Sequence, residues 1–200
     1  MKTVLIFATN NQHKVDEIRS LLQNKFDIIT LKEAGIDIDI PEPHNTLEAN
    51  AREKARTIYQ LTKKNCFSED TGLEVEALNG EPGVKTARYA GDDKDFKNNI
   101  DKLLKNLAST IHREARFRTV IALILNNKEY LFEGICEGSI LLTPKGNKGF
   151  GYDPVFKPAG ADKTFAEMTM EEKGRFSHRR KATDKLIAFL DTYNLNIWKE

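Results

Sequence analysis

The chain has 200 residues, of which 40% are hydrophobic, and its mean hydropathy is −0.52; that supports one well-buried core and is short for two independent domains, so a single domain over residues 1–200 is expected. Lysine and arginine number 31 against 30 aspartates and glutamates, a net charge of +1, which excludes the molecule-wide positive field of a general nucleic-acid binder and makes any polyanion site local. Cys66 and Cys136 lie seventy positions apart in apolar surroundings, a poor start for a disulfide framework or a metal site, so reduced core thiols are expected.

The opening "MKTVLIFATNN" has only a short apolar run, without a signal-peptide cleavage pattern. No apolar stretch elsewhere approaches membrane-spanning length, so a cytoplasmic location with no membrane partner is expected. Val4 to Ala8 reads as a strand that ends in the polar "TNNQ", and Val15, Ile18, Leu21 and Leu22 recur at helical spacing. Phe26 to Leu31 reads as a second strand, and "AGIDIDIPEPHN" as a turn-rich connection. Leu47, Ala51, Ala55 and Ile58 make the next helical stripe, with Thr46 as its N-cap. "NCFSED" and "LEVEAL" read as two short strands around "DTG", and "NGEPGVKTARYAG" as a loop.

A third helix follows at Phe96, Ile100, Leu103, Leu104 and Leu107. "FRTVIALIL" and "EYLFEGICEGSIL" form a long antiparallel hairpin that turns at Asn126 and Asn127. The stretch "GFGYDPVF" at 149–156 sets aromatics among glycines on an Asp-Pro turn, a surface on which a flat ligand can lie. Ala182, Leu186, Phe189 and Leu190 mark a C-terminal helix. Strand-helix alternation combined with a long hairpin predicts an α/β domain with a mixed sheet.

Several residues stand out for their chemistry. Lys14 falls in the first turn of the first helix, where the dipole disfavours a cation unless an anion binds, and Thr9, Asn10 and Asn11 add donors on a loop leaving a strand. The plainer alternative is a solvated lysine after an N-cap. Asn50 and Lys54 lie four apart on the flank of their helix, where Lys54 also reads as a lysine snorkelling from apolar surface. Glu69 and Asp70 end a strand and enter a glycine turn, and two adjacent carboxylates suit a hard divalent cation such as Mg²⁺ or Mn²⁺, with Glu42 a further oxygen source. A solvated strand end is the alternative. An aspartic-protease reading of "DTG" is opposed by the helices. Lys173, Ser177, His178, Arg179, Arg180 and Lys181 precede an apolar helical stripe, with Ser177 as N-cap, and again set cations where an anionic ligand would explain them.

In this order, "ATNNQHK", "TLEANAREKA", "SEDTGLEVEALNGEPGVKTARYAG", "GFGYDPVF", "TFAEM" and "SHR" closely resemble the non-canonical purine nucleoside triphosphate pyrophosphatases, the ITP/XTP pyrophosphatase family, from about Val4 to Leu190. The resemblance implies an elongated α/β fold with a mixed central sheet flanked by helices, in two lobes around a deep nucleotide cleft. It also implies a homodimer that hydrolyses ITP, dITP and XTP to the monophosphate and pyrophosphate with Mg²⁺, for which Mn²⁺ is a substitute. Thr9, Asn11, Lys14 and Lys54 match the family's phosphate-binding positions, and Asp70 the essential carboxylate, with Glu69 beside it as a metal ligand or orienting partner. Thr71, Phe150, Tyr152, Asp153, Lys173, Ser177, His178 and Arg179 match positions that line or support the base pocket. Phe150 is the stacking candidate, and Arg179 is foremost among the donors expected to read the 6-oxo group.

The chain departs from the pattern at Asn10, where Gly is frequent, at Gly174, Lys85 and Thr86, and at Ala49, where many members carry Glu before Asn50. The last change makes Glu42 the more interesting oxygen donor. Two rivals remain open at this point: a module that binds nucleotide or RNA without cleaving it, and a related pyrophosphatase with another modified nucleotide as substrate. Carboxylates at a phosphate site weaken simple binding unless a metal mediates, so Glu69 and Asp70 favour an enzyme.

Overall fold

In the computed structural model the described residues are 4–22 and 27–197. Leu5, Ile6 and Phe7 are each almost wholly buried, so the first strand, β1 (Val4–Phe7), takes a near-continuous apolar run rather than an alternating one. The reason is its neighbours. β1 pairs in parallel with β2 (Asp27–Thr30) on one side and with β3 (Cys66–Val75) on the other, and a strand flanked in this way is covered on both faces. The crossovers are α1 (Gln12–Leu22) and α2 (Leu47–Thr62). β4 (Pro82–Gly83), α3 (Phe96–Asn106), β5 (Glu114–Leu125), β6 (Lys128–Ile140), β7 (Phe156–Pro158), α4 (Met170–Phe176) and α5 (His178–Ile197) complete the order. The strands form a mixed sheet in the order β2-β1-β3-β5-β6-β7, with β4 on β3, in agreement with the expected α/β class.

The chain divides into two compact units. Unit 1 comprises the chain up to Asp70, Thr119–Gly134 and the residues from Arg179 onward; unit 2 comprises Thr71–Arg118 and Ile135–His178. The core of unit 1 gathers Leu5 and Phe7 of β1, Val15 and Ile18 of α1, Ile121 and Leu123 of β5, and Ala182, Leu186 and Leu190 of α5. Phe7 and Phe67 stack at its centre, ring centroids 4.4 Å apart and nearly parallel. The core of unit 2 gathers Leu73 and Val75, Leu103, Phe117, Tyr152, Phe156 and Phe165.

The expected helix cap is present: Thr46 accepts from the Ala49 N–H. So is the hairpin turn, for Asn126 and Asn127 both take positive φ, 49° and 62°, as a two-residue type I′ connection requires. Cys66 and Cys136 are buried free thiols, and burial pushes the Cys66 thiol up to about 12. Phe26 and the side chains of Leu21 and Leu22 lie outside the described residues.

One expectation is corrected. "DTG" does not break the chain into two short strands, because β3 runs unbroken through Asp70, Thr71 and Gly72. The pull toward a turn is outweighed by partners further along: Leu73 and Glu74 pair with β4, and the Leu73 N–H donates to the Thr86 hydroxyl at 2.8 Å. Gly72 therefore remains extended.

Removing the Phe7 partner ring tests this account of the unit 1 core. Phe67→Ala is expected to cost about 3–5 kcal/mol of stability, the usual range for a buried Phe→Ala change, read from the shift in urea midpoint at unchanged slope.

Candidate active site

Two groups of side chains carry the chemistry, one in each unit. In unit 1, β1 delivers the chain into the loop 8–11. The Ala8 N–H donates to the Phe67 carbonyl at 2.8 Å, which ties the start of the loop to β3. Thr9 and Asn11 then organise the loop itself: the Asn11 N–H donates to Thr9 Oγ1, and the Lys14 N–H donates to Asn11 Oδ1 at 3.3 Å, so Asn11 caps α1. Asn10 turns the other way and donates from Nδ2 to the Ile38 carbonyl at 3.0 Å.

Asn50 and Lys54 stand one turn apart on α2 and both are buried, on the flank of the stripe as their spacing predicts. Lys54 Nζ lies 2.6 Å from Glu42 Oε1 and 2.9 Å from Asp70 Oδ1. Burial alone would depress the Lys54 pKa, yet the attraction of Asp70 and Glu42 outweighs it and holds the ammonium above its ordinary value. For Asp70 burial prevails: its carboxyl is raised above the usual range, with Lys54 and Lys14 pulling the other way. Lys14 is lowered by burial, which the nearby Glu69 opposes only in part. Ser68, whose hydroxyl donates to the Ala51 carbonyl, fixes β3 against α2 beneath this group.

Because β3 is continuous, Glu69 and Asp70 point to opposite faces. Their ion pairs differ accordingly. Asp70 faces Lys54, whereas Glu69 receives Arg179 Nε and Nη2 at 2.8–2.9 Å and lies 3.3 Å from Lys14 Nζ. Arg179 Nη1 also donates to Glu17. Among the described residues no three carboxylate, histidine or cysteine side chains form a metal-holding cluster. Glu42, Glu69 and Asp70 are thus split into a Glu42–Lys54–Asp70 group and a Glu69–Arg179–Glu17 group.

The Arg179 guanidinium pairs with Glu69 and Glu17 within unit 1. Glu17 was not singled out by the sequence reading. The available signal was an acid placed between the apolar Val15 and Ile18, three residues after Lys14, where it shares the helix face of that lysine.

In unit 2, Asp153 is the organiser. Its Oδ2 accepts from the Phe150 N–H at 3.0 Å and from Lys173 Nζ at 2.8 Å, and both charged side chains are buried. Gly149 makes this possible, for it has φ +75° and a Cβ there would lie 2.0 Å from Asp153 Oδ2. Lys173 Nζ sits 5.3 Å from the ring centres of both Phe150 and Phe165. Phe150 is half-buried and tilts against Phe96 at 6.3 Å.

Tyr152 is not an exposed platform. It is 2% exposed, packs in the unit 2 core and donates its hydroxyl to the Thr86 carbonyl at 3.0 Å, so it supports the loop from below. His178 is buried too, stacked on Phe117 with centroids 4.7 Å apart. Ser177 closes α4, its N–H donating to the Lys173 carbonyl at 2.9 Å, directly before α5. Thr71 follows Asp70 on β3 and is half-buried.

A model of the Ham1 family matches residues 5–189. A dITP/XTP pyrophosphatase of Flavobacterium psychrophilum is 50% identical over 185 residues, 92% of this chain and 97% of that protein. One of Porphyromonas gingivalis is 50% identical over 187 residues, covering 93% and 96%. Among solved structures, the Staphylococcus aureus Ham1 protein superposes with a TM-score of 0.88 at 38% identity, covering 96% of this chain and 100% of that one.

The opposite pKa displacements of the two lysines are directly measurable. With ¹³Cε-labelled lysine, the Lys14 resonance is expected to titrate below the bulk of the lysines and Lys54 above them. Asp70→Asn removes one of the charges that stabilise the Lys54 ammonium and should bring its titration down.

Proposed function

The chain belongs to the Ham1 family, and from that membership we propose that it hydrolyses the non-canonical purine nucleoside triphosphates dITP, ITP and XTP to the nucleoside monophosphate and pyrophosphate, clearing deaminated purines from the nucleotide pool. The observation that carries this reading is the Glu42–Lys54–Asp70 group, with Lys54 and Asp70 buried, beside Lys14: an acid-base pair set among cations suited to phosphate. A single domain over residues 1–200 is part of the reading, because each unit is assembled from interleaved segments of the chain. So are a homodimer and a cytoplasmic location. Among the described residues no helix is long and apolar enough to cross a membrane.

Mg²⁺ fits the donors present, with Mn²⁺ as its substitute. Glu42 and Asp70 offer hard carboxylate oxygens, and both lie against the same Lys54 Nζ, which supports placing one cation between them. Two carboxylates suffice for an ion that takes the rest of its ligands from water and substrate phosphates. When bound, Mg²⁺ adds positive charge to the triphosphate, and Glu42 and Asp70 are the residues that hold it. Ala49 offers no oxygen, so Glu42 takes the part that a glutamate before Asn50 would otherwise have.

The lysines do the electrostatic work of the protein itself. Lys54, kept charged by its two carboxylates, and Lys14 engage phosphate oxygens, and an incoming triphosphate favours the charged form of Lys14 that burial disfavours. Thr9 and Asn11 set the loop from which Lys14 rises. Asp70 accepts the proton of the water that attacks the α-phosphorus as pyrophosphate departs. Glu69 anchors Arg179 and Lys14.

Phe150 is the stacking face for the purine, and Lys173 donates to its 6-oxo oxygen. Hypoxanthine and xanthine accept that bond, whereas adenine presents an amine to it, leaving a buried donor unmet. Asp153 positions Lys173, Tyr152 supports the loop, and Thr71, Ser177 and His178 complete the surroundings. Arg179, expected to read the 6-oxo group, is assigned instead the holding of Glu69 and Glu17. A folded Arg179→Ala variant that lost its preference for ITP over ATP would return the base-reading role to it.

Pyrophosphate release from ITP, XTP, dITP, GTP and ATP, with Mg²⁺ and with EDTA, tests the whole reading. Cleavage of the first three is expected, with little from GTP or ATP and none in EDTA. Asp70→Asn should lower kcat on the order of 10²–10⁴-fold, the span of general-base catalysis, while ITP still binds. Retention of most wild-type turnover at saturating Mg²⁺ would rule out Asp70 as the base.

A further inference from the structure

Glu42 stands in a segment with no regular secondary structure, between α2 and the turn that follows β2, and it is flanked by Pro41 and Pro43. Proline fixes φ and restricts the residue before it, so residues 40–43 are locally stiff, but neither proline brings an N–H with which to anchor the segment. An anchor lies just beyond. Asn50, 1% exposed in the first turns of α2, closes both polar groups of His44: its Oδ1 accepts from the His44 N–H at 2.9 Å and its Nδ2 donates to the His44 carbonyl at 3.1 Å. On the far side of Glu42, Asn10 Nδ2 holds the Ile38 carbonyl.

The match is specific to an amide. His44 offers one donor and one acceptor on the same residue, and only a side chain with an adjacent acceptor and donor answers both. An aspartate of the same shape answers the N–H but opposes the carbonyl, and alanine leaves two groups unmet. Asn50 is also one turn before Lys54, so the clamp on the Glu42 segment and the ammonium that meets Glu42 Oε1 come from one rigid helical face.

We propose that Asn50 is a positioning residue for the cation site: by clamping His44 it holds the stiff Pro41–Glu42–Pro43 segment so that Glu42 reaches the place it shares with Asp70. This rests on the assignment of Glu42 and Asp70 as the residues that hold Mg²⁺. Both polar atoms of the Asn50 amide are engaged by the His44 main chain, so its effect passes through the main chain to Glu42. Groups that orient a metal ligand commonly change affinity by about 10- to 100-fold when removed.

The test compares wild type, Asn50→Ala, Asn50→Asp, Glu42→Gln and the double variant Asn50→Ala/Glu42→Gln. Binding of Mn²⁺ alone is followed by electron paramagnetic resonance of the free ion, and the Mg²⁺ concentration giving half-maximal ITP hydrolysis is followed in parallel. Thr46→Ala, which removes the α2 cap without touching the clamp, controls for general loosening of the helix. Asn50→Ala and Asn50→Asp are expected to weaken Mn²⁺ binding and raise the Mg²⁺ requirement by about 10-fold or more, with most of kcat recovered at saturating Mg²⁺. Thr46→Ala should change neither. In the double variant the loss should be no greater than in Glu42→Gln alone, because both changes remove the same ligand.

Asn50→Asp keeps the volume of the side chain, so it carries the test if Asn50→Ala fails to fold. Weakened Mn²⁺ binding in Glu42→Gln with wild-type binding in a folded Asn50→Asp would overturn the clamp and leave the cation site standing. Wild-type Mn²⁺ binding in Glu42→Gln would overturn the assignment of Glu42, and the role of Asn50 with it.

Discussion

The cost of burying charge governs this molecule. Lys14, Lys54, Asp70, Glu69 and Arg179 all lie largely out of water in one unit, and isolated ions there would be strongly disfavoured. They persist because each is paired. Lys54 lies between Glu42 and Asp70, and Arg179 joins Glu69 to Glu17. Lys14 lies between the two sets, paired with Glu69 and within the field of Asp70 and Lys54. Replacing one member removes one of the charges that stabilise its partners, so substitutions here act on charge before they act on shape.

That arrangement also makes the site responsive. Asp70, raised by burial, and Lys14, lowered by it, are both held away from their ordinary protonation behaviour. On the proposed function, a bound phosphate favours the charged form of Lys14 that burial disfavours. The second unit works with neutral surfaces: a ring face at Phe150, and one buried ammonium fixed by one buried carboxylate over a glycine that leaves room for it.

Backbone supports tie these groups to the fold. Ser68 joins β3 to α2 beneath Asp70, Asn11 caps the helix that carries Lys14, and Asn50 clamps the loop that carries Glu42. Each is a short polar side chain bonded to main-chain groups of a neighbouring segment.

The local patterns were legible in the sequence because their causes are local. The period of Leu47, Ala51, Ala55 and Ile58, the Thr46 cap and the Asn126–Asn127 turn depend on neighbours within a few positions, and the structure has all three. The flank position of Asn50 and Lys54 follows from helical spacing alone, and the motif order from Val4 to Leu190 sufficed to indicate the family. What sequence could not decide were outcomes set by distant partners. Gly72 stays extended because β4 and Thr86 engage Leu73; Tyr152 turns into a core rather than outward; Arg179 meets Glu17, 162 positions away in the chain. Which way two adjacent carboxylates face depends on whether a turn or a strand runs through them, and here β3 runs through both.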